Sequence, residues 1–118
     1  MTASTPADHV RLDLNNPVFQ RSLFRLEKED QRSILNSLRK IADMTWDQIY
    51  ADNGLKWEAI LTQKGPANSR LYSFRIGRKF RAIGYRDQAW LRILSLHRIT
   101  ILVTIAEGSD FPALFRTQ

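Results

Sequence analysis

Residues 71–87 read LYSFRIGRKFRAIGYRD. Two runs rich in aromatic and β-branched residues flank Gly77-Arg78-Lys79, which has the make-up of a tight turn, so the segment predicts a β-hairpin of Leu71–Ile76 with Phe80–Arg86. Asp87-Gln88 turns the chain again. Ala89–His97 then adds a strand with Trp90, Leu94 and Leu96 on one face, a parity that groups His97 with Leu91 and Ile93. Upstream, a period of two starts at Lys56, with Trp57, Ala59 and Leu61 on one face and Glu58 and Ile60 on the other, and Gly65-Pro66 forms the loop into the hairpin.

The N-terminal half has a different period. His9–Leu14 alternates apolar and polar residues and reads as a short strand after a Thr/Ser/Pro-rich start. Asn16-Pro17 is an N-cap followed by proline at the first helical position, where a missing N–H costs nothing. Phe19, Leu23 and Leu26 give that helix its buried stripe. A charged break at Glu29 and Asp30 precedes a second helix with Ile34, Leu38 and Ile41 inside, folding back as a hairpin. Thr45 to Gln48 has capping-box spacing, and Asn53-Gly54 would end the short helix between them. The expected class is α+β: an antiparallel sheet, made of a meander of three to four strands plus the N-terminal strand, packed against an N-terminal helical hairpin.

At 118 residues the chain suits one domain with one core. No long apolar run or secretory leader is visible, which points to the cytoplasm and away from membranes. With no cysteine and two widely separated histidines, no metal site and no cofactor is expected. The net charge of +6 is unevenly placed: Ala59–Arg86 holds seven cations and no acid, with Tyr72, Phe74, Phe80 and Tyr85 interleaved. Such a window suits a phosphate backbone with stacked bases, although charged strands over a core with buried aromatics would read the same way.

The string LYSFRIGRKFRAIGYRD followed by LRILSLH resembles the sheet of RelE/ParE-superfamily toxins, in which a strand of the form Tyr-x-x-Arg-Ile turns into Arg-Ala/Leu-x-x-Tyr and then into an apolar strand. The similarity spans Asn16 to His97, so the reading divides the chain into a RelE-like domain, 1–98, and an atypical tail, 99–118. The resemblance implies a metal-independent endoribonuclease that cuts messenger RNA, commonly at the ribosome, and that a cognate antitoxin neutralises. It places Arg75 and Arg81 on the basic catalytic positions. Attack by a 2′-hydroxyl on the adjacent phosphate builds negative charge that fixed cations stabilise, and arginine binds phosphate with a planar fork while serving poorly as a base. Glu58, the acid bordering the basic window, is the candidate general base if it faces Arg81, and otherwise a plain ion pair. Lys56, Lys64, Arg70, Arg78, Lys79, Arg86 and His97 complete the RNA-binding set.

Related toxins carry a catalytic segment resembling Asp-His-Asp-x-x-Tyr after the last strand. Here the chain reads RITILVTIAEGSDFPALFRTQ from Arg98, with no tyrosine and no histidine. Codon degeneracy allows Ile99–Thr104 to be re-read in another frame as Asp-His-Asp-Ser-Gly-Tyr. The expectation is therefore a toxin impaired by loss of its acid/base segment. A non-catalytic module binding antitoxin or RNA, and a ParE-like gyrase inhibitor, are the alternatives.

Overall fold

The computed structural model describes residues 9–99. The chain runs β1 (Arg11–Asp13), α1 (Pro17–Phe24), α2 (Lys28–Ala42), α3 (Trp46–Ala51), β2 (Glu58–Lys64), a 3-10 turn (Pro66–Asn68), β3 (Arg70–Arg75), β4 (Phe80–Asp87) and β5 (Trp90–Arg98). Asn16 caps α1 as expected, its Oδ1 accepting from the N–H of Val18 at 2.8 Å. The capping box at Thr45 and Gln48 is complete. Glu29 and Asp30 do not break the chain. They sit in the first turn of α2, where carboxylates favour the positive end of the helix dipole, and the link between helices falls at 25–27.

The five strands form one sheet in the order β1-β5-β4-β3-β2. The meander β2 to β5 is antiparallel, but β1 runs parallel to β5, so the sheet is mixed. Parallel neighbours have no connecting turn to mark them in sequence, which is why the antiparallel-only expectation failed. Nor is the helical layer a plain two-helix hairpin. Three helices cover one face, where Phe19 and Leu23 of α1, Ile34, Leu38 and Ile41 of α2, and Trp46 and Ile49 of α3 pack on Phe74, Phe80, Ala82, Leu91 and Ile93.

A second, smaller cluster of Ile60, Leu71 and Ile83 lies on the other face, with Tyr85 and Leu94 against it. On β2 the face carrying Ile60 is the covered one: Ile60, opposite Leu71, is 2% exposed, whereas Leu61 is 76% exposed. Trp57 precedes the strand and stacks on Tyr72, with centroids 4.8 Å apart. Asn53-Gly54 does not end α3 either. Asp52 makes a local turn, its Oδ1 accepting from the Leu55 N–H at 3.0 Å, and the left-handed residue is Lys56 at φ 52°. Among the described residues no helix is long and apolar enough to cross a membrane.

Candidate functional site

The hairpin between β3 and β4 pairs Arg75 with Arg81, and the pairing of β4 with β5 sets Arg81 opposite His97. Residues paired across strands share a sheet face, so the three side chains form one row on the face away from the helices. Two features set that row. The first is the turn at Gly77, with φ 79°, whose N–H donates to Ser37 Oγ at 2.8 Å while that of Arg78 donates to Ser33 Oγ at 3.2 Å, fixing the turn to α2. The second is a β-bulge in β5. Gly84 pairs with Ile93 and Ile83 with Ser95, leaving Leu94 as the extra residue. Beyond it the parity shifts, so His97 faces Arg81 instead of sharing the core side with Leu91 and Ile93. A Cβ on Gly84 would lie 2.5 Å from the Arg92 carbonyl oxygen, so the bulge requires glycine there.

Arg81 is held from several sides. Its Nε donates to Ser73 Oγ at 2.6 Å and its Nη2 to the Lys56 carbonyl at 2.9 Å, while Glu58 Oε1 lies 3.6 Å from Nη2. The positive φ of Lys56 turns that carbonyl into the arginine's path. Burial pushes the Arg81 guanidinium below its ordinary pKa, Glu58 pulls the other way and Arg75 adds to the lowering, yet an arginine remains charged. Arg75 differs: it is half-buried, and its side chain makes no hydrogen bond or ion pair among the described residues. His97 Nε2 lies 2.9 Å from Ser95 Oγ, and burial lowers the imidazole pKa, which favours the neutral form. Glu58 thus faces Arg81, in an ion pair.

The other cations are dispersed. Lys56 is exposed and takes part through its carbonyl. Lys64 and Arg70 pair with each other at the far end of β3, about 17 Å along the strand from Arg75. Arg78 and Lys79 occupy the turn, and Lys79 reaches Asp30 at 3.5 Å, as does Arg98. Arg86 is on the helical side, its guanidinium 4.5 Å from the Trp46 ring and bonded to Tyr50 Oη at 2.8 Å. Of the interleaved aromatics, Phe74 and Phe80 are buried in the core, Tyr72 stacks on Trp57, and Tyr85 shares the arginine face. Ser73 and Ser95 were not foreseen. Their signal was present, since each precedes a row residue by two and so shares its face. The re-read tail segment lies, apart from Ile99, outside the described residues.

No protein-family model and no curated protein matches the chain. Among solved structures it is similar to a chain of the crystal structure of the archaeal RelE-RelB complex from Pyrococcus horikoshii OT3, with 19% identity and a TM-score of 0.51 over 78% of this chain and 94% of that one. At that identity the likeness establishes shared architecture: this chain has a RelE-like α+β fold.

Proposed function

We infer that the chain is a RelE-type toxin module whose sheet face receives single-stranded messenger RNA at Arg75, Arg81 and His97, and that a cognate antitoxin occupies it when neutralised. One observation carries the reading: a cross-strand row of two arginines and a histidine on the sheet face opposite the helices, with the Arg75 guanidinium unengaged among the described residues. The RelE-like fold supports it, and so does the acid-free basic window.

In the proposed cleavage the 2′-hydroxyl attacks the phosphorus of the adjacent 3′-phosphate and the bond to the next nucleotide's 5′-oxygen breaks, leaving a 2′,3′-cyclic phosphate and a 5′-hydroxyl. Arg75 binds the phosphate, Arg81 adds its fixed charge, and neutral His97 takes the proton from the 2′-hydroxyl. Glu58 is engaged with Arg81 and so orients it. The sequence after His97 offers no tyrosine or second histidine to protonate the leaving oxygen, so water supplies that proton and turnover is slow. Loss of one general acid costs about 10² to 10⁴ in rate.

Expression without an antitoxin, with growth and messenger RNA integrity followed, tests the reading. The present chain should arrest growth weakly, while a version re-read after Arg98 as Asp-His-Asp-Ser-Gly-Tyr, at equal soluble abundance, should arrest it strongly. Equal toxicity would make the present tail native. RNA binding without cleavage in both versions would leave a non-catalytic module, and gyrase inhibition without either would favour the ParE-like alternative.

A further inference from the structure

Past Ser73, β3 keeps β4 on one side but among the described residues has no strand on its β2 side. β2 begins at Glu58, opposite Ser73, and the Arg75 N–H donates instead to the Leu55 carbonyl at 2.6 Å. At this edge, α2, the α3–β2 turn and the end of β3 enclose a cleft of about 160 Å³, with Lys40, Ile41, Met44, Asp52, Leu55 and Arg75 in its lining. Sites for drug-sized ligands run to roughly 300–1,000 Å³, so this one takes a single small group.

The lining selects among such groups. Lys40 donates, Asp52 accepts, and Met44 and Leu55 supply apolar surface. A bare phosphate would meet Lys40 but be repelled by Asp52, and an aliphatic group would use neither charge. A nucleobase has apolar faces together with an edge of donors and acceptors, and unstacked bases of single strands are read in this way. Asp52 is held for the task. One carboxylate oxygen accepts from the Leu55 N–H, and the other has no hydrogen bond or ion pair among the described residues. Arg75 lines this cleft at the β3 edge and pairs with Arg81 in the row on the other face, so cleft and row share one residue around that edge.

We propose that the edge cleft is a base-binding subsite for single-stranded RNA, with Asp52 accepting from N–H groups of one base while Arg75 holds the adjoining phosphate. The proposal rests on the RNA reading above. Short oligoribonucleotides with one abasic residue moved through each position, titrated into the full chain, test it. Anisotropy reports affinity, and the methyl resonance of Met44, one of two methionines, reports the cleft. One abasic position should weaken binding about fivefold, a loss of the size of one hydrogen-bonded contact, and should abolish the Met44 shift. Asp52→Asn retains an oxygen for the Leu55 N–H. It should weaken oligonucleotides with an amino-bearing base at that position more than those with uracil. Affinity that falls with Arg75→Ala but ignores every abasic position would overturn the subsite and spare the RNA reading, as would an abasic effect with an unmoved Met44. No RNA binding at low salt would remove both.

Discussion

Arg75 and Arg81 face each other across the β3–β4 hairpin and are differently engaged: Arg81 is bonded to Ser73 Oγ and the Lys56 carbonyl, while the Arg75 side chain has no such partner among the described residues. Two like charges side by side repel, and the bonds made by Arg81 hold it beside Arg75 regardless. An incoming phosphate would relieve that repulsion.

Substituting the two should therefore have different effects. Arg81→Ala strands the fully buried Ser73 hydroxyl, for about 1–3 kcal/mol, or roughly 3–6 °C of melting temperature per kcal/mol. Arg75→Ala should leave melting within about 2 °C and weaken RNA binding about tenfold, the size of one charge-assisted contact. Thermal unfolding and titration of both variants check the pair; equal melting losses would make Arg75 structural.

RNA affinity should fall steeply with salt, because phosphate contacts act by releasing counterions, at about −0.7 in log–log slope per contact on single strands. Arg75→Ala should flatten the slope by roughly one contact. Arg86→Ala, on the helical side, should leave slope and affinity unchanged while loosening Trp46 and Tyr50.

His97 also ties stability to pH. Burial lowers its folded-state pKa below the ordinary 6.5, so below that value the unfolded chain binds more protons than the folded one. Its contribution is complete above pH ~6.5 and is lost as pH falls through the depressed folded value. His97→Gln should remove that part of the slope, as read from denaturant unfolding at pH 5 to 7.5.

Gly84→Ala should be costly for its size. The added methyl meets backbone, the Arg92 carbonyl oxygen at 2.5 Å and Ile93 Cα at 3.2 Å, so strands must separate or the bulge must move. A loss of about 1–3 kcal/mol is expected. A moved bulge also turns His97 off its face, so RNA affinity should fall with stability.

The parts of this architecture readable from sequence were those with local causes. Asn16-Pro17, the Thr45–Gln48 box and the Gly77–Lys79 turn each act within a few residues, and each formed where expected. What escaped depended on partners far away in the chain. Arg11 pairs with Trp90 in a parallel ladder that no turn announces, and Ile60 is buried because Leu71 and Ile83 lie beside it. His97 was assigned to the wrong face because a bulge adds one to a count of two, and only the register with β4 reveals it. Arg75 lies opposite Arg81 for a local reason, the short turn at Gly77–Lys79, whereas Ser73 and the Lys56 carbonyl as holders of Arg81 required the fold.

The parallel ladder of β1 on β5 also has a consequence for timing. Asp13 meets Arg92 at 2.7 Å, 79 residues apart in sequence, whereas the meander pairs near neighbours. Contacts of such separation form late, because the chain loses the entropy of a long loop before it gains them. On a translating ribosome β1 is thus made before β2 to β5 yet seated after them, waiting at the sheet's margin until β5 has emerged. The arginine row can assemble while β1 is still unseated, so the parallel strand is what closes the sheet.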